Sequence, residues 1–334
     1  MITINTLKGG IREITVKRPN NEIFTFISLG ATWVRWQTEE GRDIIARYQD
    51  YEDYKTPGLY LGSTVGPLAG RIANGRFSLG GKEYVFTKGE PLLHSGAFGF
   101  SFQDFEIDQI HNQPHETVVC FKLRFEKKEY PGIIDLKVSY RMKPNEVKIL
   151  YQASSSSDSA LNITNHAYFN LSGDYSRPLD DHELVLNANK VVMPDHEMIG
   201  KKIADVKGTA LDFTKLRKLS DAYNDEGLRA SVTKGIDHFF ILDKDRPFAL
   251  ELRSNLAKSR LMIETSYPGV VLYSTNDQRD RPIQSGKLIP IHGALAIEAQ
   301  FMSNAVNDRR FDNIILKKGE LYEHHITYKL EAIR

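Results

Sequence analysis

Short runs rich in β-branched and aromatic residues follow one another along this chain, with turn residues between them, and helical periodicity is nearly absent. Residues 11–17, 23–29 and 32–37 are the first such runs. Asn74-Gly75 and Gly80-Gly81 lie between later ones and suit tight hairpins, because glycine tolerates positive φ. Pro144-Asn145 separates residues 135–142 from 146–152 in the same way. Further runs cover 183–186, 239–242, 249–252, 260–265, 270–274, 295–299 and 325–330. Only 50–55 and 212–220 carry enough helical pattern for a turn or two. This order predicts an all-β chain, a large antiparallel β-sandwich with few short helices. Strands do not alternate with long amphipathic helices, which disfavours a nucleotide-binding α/β fold.

The 334 residues contain no internal repeat and no Pro- or Gly-rich linker, so one domain over 1–334 is expected. The serine-rich stretch 154–159 reads as an exposed connection between two strands. Lys and Arg number 44 and Asp and Glu 43, so there is no global field to attract nucleic acid or anionic lipid. No apolar segment approaches the roughly 18 residues of a membrane span. Met1-Ile2-Thr3-Ile4-Asn5 shows no basic stretch leading into an apolar run, and a cytoplasmic location is expected. Without secretion, the sequons at Asn162 and Asn170 are chance matches. A single cysteine, Cys120, allows neither an internal disulfide nor a thiolate zinc site, and it reads as core.

Phosphate-cradling, zinc-protease, dithiol and nucleophile-elbow motifs are all missing. His111 and His115 bracket a proline-containing loop, and His324 and His325 would point to opposite faces of a strand, so neither is a promising metal pair. Two other segments carry chemistry. In residues 162–171, period two puts Thr164, His166, Tyr168 and Asn170 on one face, polar and aromatic without charge. Histidine titrates near neutrality, so His166 suits a proton donor. By itself the segment equally describes a structural histidine on a half-buried strand, which is the commoner case. In residues 293–301 the polar face holds Ala294, Ala296, Glu298 and Gln300. Small alanines beside a carboxylate leave room for a ligand, and enclosure raises a carboxyl pKa toward that of a useful general base. An exposed edge residue is the competing reading. Arg71 and Asn74 lie in a glycine-rich turn region, His94 precedes a small turn and Asp237 enters an apolar strand. Each is weak alone.

Taken together and in order, these segments resemble the aldose 1-epimerase family. The most specific are Gly70-Arg71-Ile72-Ala73-Asn74-Gly75, Asn165-His166-Ala167-Tyr168-Phe169-Asn170-Leu171 and Glu298-Ala299-Gln300, and the likeness runs from Gly66 to the C-terminal strand. The resemblance implies a galactose mutarotase-like supersandwich needing no cofactor and no metal. It implies His166 as general acid on the sugar ring oxygen and Glu298 as general base on the anomeric hydroxyl. His94 would orient the sugar, Arg71, Asn74 and Asp237 would bind its hydroxyls, and Gln300 would join them. The expected substrate is a free aldohexose such as galactose or glucose, handled by a monomer or homodimer. A non-catalytic sugar sensor, a glycoside hydrolase using Asp237 and Glu298, and an epimerase for a reducing disaccharide such as maltose or for a phosphorylated hexose are the alternatives. Ser95 replaces a usual glycine, Phe301-Met302-Ser303-Asn304 replaces a run with a proline and an acid, and Asp277-Gln278-Arg279-Asp280 is unusually charged. These departures bear on substrate preference.

Overall fold

A computed structural model of the chain describes residues 1–244, 247–277 and 281–333, and all structural counts refer to these residues. The hairpin of Ile134–Lys143 and Glu146–Ser155 shows how alternation builds the outer layers. Ile134, Leu136, Val138, Tyr140 and Met142 are buried, while Asp135, Lys137, Arg141 and Lys143 face water. One side of each strand therefore packs and the other is solvated, as in antiparallel sheets generally. These two strands sit in a nine-stranded antiparallel sheet that also contains the C-terminal strand Tyr322–Ala332. Four N-terminal strands between Ile2 and Gln37 form a second sheet. A third, six-stranded sheet runs in the order Tyr168–Phe169, Leu295–Gln300, Gly269–Tyr273, Asp237–Ile241, Lys190–Pro194, Gly200–Asp205.

Aromatic rings join the three sheets. Trp33 of the N-terminal sheet lies 5.5 Å from Tyr328 of the nine-stranded sheet and 6.3 Å from Phe169 of the six-stranded one. Tyr328 and Phe169 are themselves 5.4 Å apart. All three are fully buried, and one continuous hydrophobic cluster runs from Ile14 to Leu330. The expected all-β antiparallel sandwich is thus the observed architecture. No helix among the described residues is long and apolar enough to cross a membrane.

The strand Leu295–Gln300 departs from simple alternation, because every residue in it is buried. Leu295, Ile297 and Ala299 face the core. Glu298 lies opposite Val271, Val271 opposite Phe239, and Phe239 opposite Val192. That row spans three strand spacings, about 14 Å. It floors a cavity that is charged at the Glu298 end and apolar at the Val192 end.

Several local expectations change. Residues 162–171 are not one half-buried strand. They form two-residue strands at Thr164–Asn165 and Tyr168–Phe169, broken at His166, and both faces are buried. Asn165 stabilises the break: its Nδ2 donates to Gly62 O (2.8 Å) and its Oδ1 accepts from Ala167 N (3.0 Å). Asn74-Gly75 does not close a hairpin. It forms a 3₁₀ turn that passes the chain from the pairing of Arg71–Ile72 with Leu92–Leu93 to the hairpin around Gly80-Gly81. Helix is absent from 212–216, because Asp212 Oδ1 accepts from both the N–H and the hydroxyl of Thr214, a local bond that competes with helix. Two short helices follow instead at Leu219–Tyr223 and Glu226–Ala230. The serine-rich connection is only partly exposed, since Ser155 and Ser159 are buried with their hydroxyls 2.6 Å apart.

Gly62 ties the His166 break to the rest of the sandwich. Its N–H donates to His166 O (2.9 Å), and its φ is +70°. A Cβ there would fall 2.0 Å from the Trp33 carbonyl oxygen. Gly62→Ala is expected to destabilise the fold by about 2–4 kcal/mol, from left-handed strain plus overpacking against main chain. Denaturant unfolding checks this, and an unchanged midpoint would refute the crowding argument.

Candidate active site

Five chain segments converge at the charged end of the cavity. The pairing of Arg71–Ile72 with Leu92–Leu93 sets Arg71 opposite Leu93 and brings His94 alongside. The strand break delivers His166. The strand Leu295–Gln300 delivers Glu298 and Gln300, and Asp237 begins the strand Asp237–Ile241. All six side chains line one cavity. Asn74 does not join them: it is exposed in the 3₁₀ turn with φ +54°, a conformation asparagine tolerates, and it faces away from the cavity lining.

His166 Nε2 lies 3.3 Å from Glu298 Oε1, with both side chains almost wholly buried. Burial, opposed by a weaker main-chain hydrogen bond at His166 itself, pulls the imidazole of His166 down to about 4. Burial, with a smaller push from Asp237 and an opposing pull from Arg71, lifts the carboxyl of Glu298 to about 8. At neutral pH the pair is therefore a neutral acid against a neutral base rather than an ion pair. The pair carries one transferable proton between about pH 4 and pH 8. Burial also raises Asp237 to about 6, opposed by Arg71 and reinforced by Asp277. Arg71 has no ion-pair partner among the described residues, so its charge is left to the cavity.

Rings hold His166 in place. Tyr168 stacks at 5.1 Å and 23°, Tyr60 at 6.0 Å and 29°, and His94 meets it edge-on at 5.2 Å. Tyr60 was not legible in the sequence as a site residue. It sits in an apolar loop between Gly58 and Gly62 with φ +55°, and only that left-handed backbone turns its ring into the cavity. At the apolar end, Val192, Pro194, Met198 and Gly200 were also unread, since they come from a hairpin that carries no chemical motif.

The sequence departures separate on inspection. Ser95 Oγ accepts from Leu68 N (2.9 Å), is turned from the cavity and leaves the lining unchanged. Met302 and Ser303 do line the cavity, and Asn304 Oδ1 accepts from Ala73 N (3.1 Å), bracing the turn beside Arg71. Asp277 lies at the cavity, while Gln278, Arg279 and Asp280 fall outside the described residues. Gln300 Nε2 donates to Phe301 O (3.1 Å) and Ser303 Oγ (3.4 Å), and its Oε1 is buried without a partner. Among the described residues, one group of His, Cys, Asp and Glu side chains is close enough to hold a metal ion: His94, His166 and Glu298, whose candidate atoms lie within 4.8 Å of one another.

The raised carboxyl has a stability consequence. Native Glu298 binds its proton more tightly than unfolded glutamate, so between about pH 4.5 and 8 stability falls as pH rises. Glu298→Gln removes that cost. The variant is expected to unfold later than wild type at pH 7, by about 3 kcal/mol. The gap should close at pH 5 and widen toward pH 8. Thermal melts across that range check it, and a pH-independent gap would contradict a buried, titrating carboxyl.

A sequence model of the family described as aldose 1-epimerase matches residues 12–329. The chain is 32% identical to a mouse galactose mutarotase, over 97% of this chain and 95% of that protein. It is 30% identical to an aldose 1-epimerase of Haemophilus influenzae, over 95% of both. A crystal structure of galactose 1-epimerase from Lactobacillus acidophilus superposes with a TM-score of 0.86 at 25% identity, covering 100% of this chain and 99% of that one. With the antiparallel sandwich and the buried histidine–glutamate pair already in view, these likenesses place the chain in the aldose 1-epimerase family.

Proposed function

We propose that the protein interconverts the α and β anomers of free aldohexoses such as galactose and glucose, with His166 and Glu298 as its acid–base pair. The observation that carries this reading is the 3.3 Å contact between His166 Nε2 and Glu298 Oε1 in a cavity that also presents Arg71, His94 and Asp237. Arg71 is the sole lysine or arginine among the described lining residues, which favours neutral sugars over phosphorylated ones. The names of the relatives favour galactose. We extend the proposal to a single-domain, cytoplasmic enzyme that acts on the sugar alone, as a monomer or homodimer.

The proton count of the pair fits ring opening. With a closed pyranose bound, the pair must be ionic: His166 gives a proton to the ring oxygen as the C1–O bond breaks, and Glu298 takes the proton of the anomeric hydroxyl. The products are a neutral imidazole, a neutral carboxylic acid and an open aldehyde. Rotation about C1–C2 presents the other carbonyl face, and the reverse transfers close the ring as the other anomer. The buried pair rests in the neutral form, which is the form that matches the open chain. The 3.3 Å contact lets one proton cross between the two side chains, and Arg71 draws Glu298 toward its carboxylate. Positioned acid–base groups of this kind each contribute about 10²–10⁴-fold.

Glu298→Gln and His166→Asn are each expected to lose at least about 10²-fold of the mutarotation rate while staying folded, as followed by polarimetry on freshly dissolved α-galactose. Near wild-type rates in either variant would remove the assignment. The pair works only with its single proton, so kcat/KM should fall above about pH 8, where Glu298 loses it, and below about pH 4, where His166 gains a second. A flat profile between pH 7 and pH 9.5 would show that Glu298 is not the titrating group.

A further inference from the structure

The two histidines of the site are held by different means. His166 Nδ1 is buried without a partner, its Nε2 faces Glu298 at 3.3 Å, and its ring is fixed by packing, so its protonation is free to follow that of Glu298. His94 is the reverse. Its Nδ1 accepts the main-chain N–H of Gly70 at 3.0 Å, and its own main-chain N–H donates to Gly70 O at 2.9 Å. A neutral imidazole carries one ring proton, and a nitrogen that accepts a hydrogen bond does not hold it. The proton is therefore on Nε2, the nitrogen left to the cavity. The backbone supports this pose, because His94 and Ser95 are both left-handed (φ +49° and +63°) and Ser95 Oγ is bonded to Leu68.

We infer that Gly70 is a positioning residue of the reaction: its main-chain N–H locks His94 as the Nε2–H tautomer, a fixed neutral donor to the sugar oxygen that His166 protonates. The inference rests on the epimerase reading above. The candidate atoms of His94, His166 and Glu298 lie within 4.8 Å of one another. Two ring nitrogens no more than 4.8 Å apart can both reach one oxygen at about 2.8 Å, within hydrogen-bond range. One sugar oxygen can thus meet both histidines. As the C1–O bond breaks, its electron pair stays on the ring oxygen and His166 supplies the proton. His94 steadies the developing charge through a hydrogen bond and keeps its own proton. Burial, helped by His166 and Arg71, holds His94 well below the usual histidine range, so it stays neutral throughout.

Gly70 is suited to this place by shape. Its φ is +77°, and a Cβ there would fall 1.7 Å from Ser303 Oγ, the atom that receives Gln300. A side chain here would be strained by that φ and would displace Ser303. The same lock turns the cluster away from metal ions, because ligation through His94 Nε2 would require removing the proton that Gly70 keeps there.

The test uses the full chain labelled with ¹⁵N at histidine. Long-range ¹H–¹⁵N correlation, with His94 assigned by its loss in His94→Gln, should show an Nε2–H tautomer that does not titrate from pH 5 to pH 9. Polarimetry on galactose should show kcat reduced about 10²–10³-fold in His94→Ala, the scale of a lost oxyanion donor. His94→Gln carries an amide N–H near the Nε2 position and should recover about tenfold of that loss. Neither variant should move the limbs of the kcat/KM profile, and micromolar Zn²⁺ should leave the wild-type rate unchanged. An Nδ1–H tautomer, a His94 titration inside that range, or His94→Gln no better than His94→Ala would overturn the inference. A wild-type protein that binds galactose without speeding mutarotation would instead overturn the enzyme reading, and the tautomer measurement would still stand by itself.

Discussion

The burial of one carboxyl group against one imidazole organises this molecule. Glu298 lies on a strand whose two faces are both covered, and His166 lies where a second strand breaks. A charge in such a place is costly, so the environment moves the proton rather than keeping an ion pair. That displacement puts a single mobile proton on two groups in contact, with the cavity open to one side. The sandwich supplies the low dielectric by stacking sheets through Trp33, Phe169 and Tyr328 directly behind the site.

The surrounding side chains divide into those that hold by packing and those that hold by hydrogen bonds. His166 must change protonation during turnover, and it is gripped by the rings of Tyr60 and Tyr168, which orient it without choosing a tautomer. His94 keeps one state, and main-chain bonds from Gly70 impose it. Asn165, Gly62, Ser95 and Asn304 brace the loops behind them through main-chain contacts. Part of the chain's left-handed backbone falls in the same place. Tyr60, His94 and Ser95 all occupy the left-handed region, and each lines the cavity or supports a residue that does. Non-glycine residues persist there only where surrounding contacts over-determine them.

Different parts of this arrangement were legible to different degrees. The all-β class followed from period-two runs and turn residues, because alternation of buried and exposed side chains is a local property of a strand. Glu298 and Gln300 stood out on a face of small residues, and both line the cavity, but Ala294 and Ala296 leave no room beside them and pack in a hydrophobic cluster instead. The reading failed where short polar bonds redirect the chain. Asp212 and Thr214 close a turn in place of a helix, and Asn74-Gly75 turns the chain between two sheets instead of closing a hairpin. Residues 162–171 alternate on paper, yet both faces are buried, since layers pack against each side.

The sequence by itself determined the strand content, the turn positions and the chemical inventory, and its ordered motifs pointed to the family. Only the tertiary structure decided that His166 and Glu298, 132 positions apart in the chain, meet at 3.3 Å in a buried place, that Asn74 stays outside, and that Tyr60 and the apolar hairpin complete the cavity. The reason is physical. Propensity and periodicity act over a few residues, whereas desolvation, and with it the location of the proton, depends on every layer that closes over the pair.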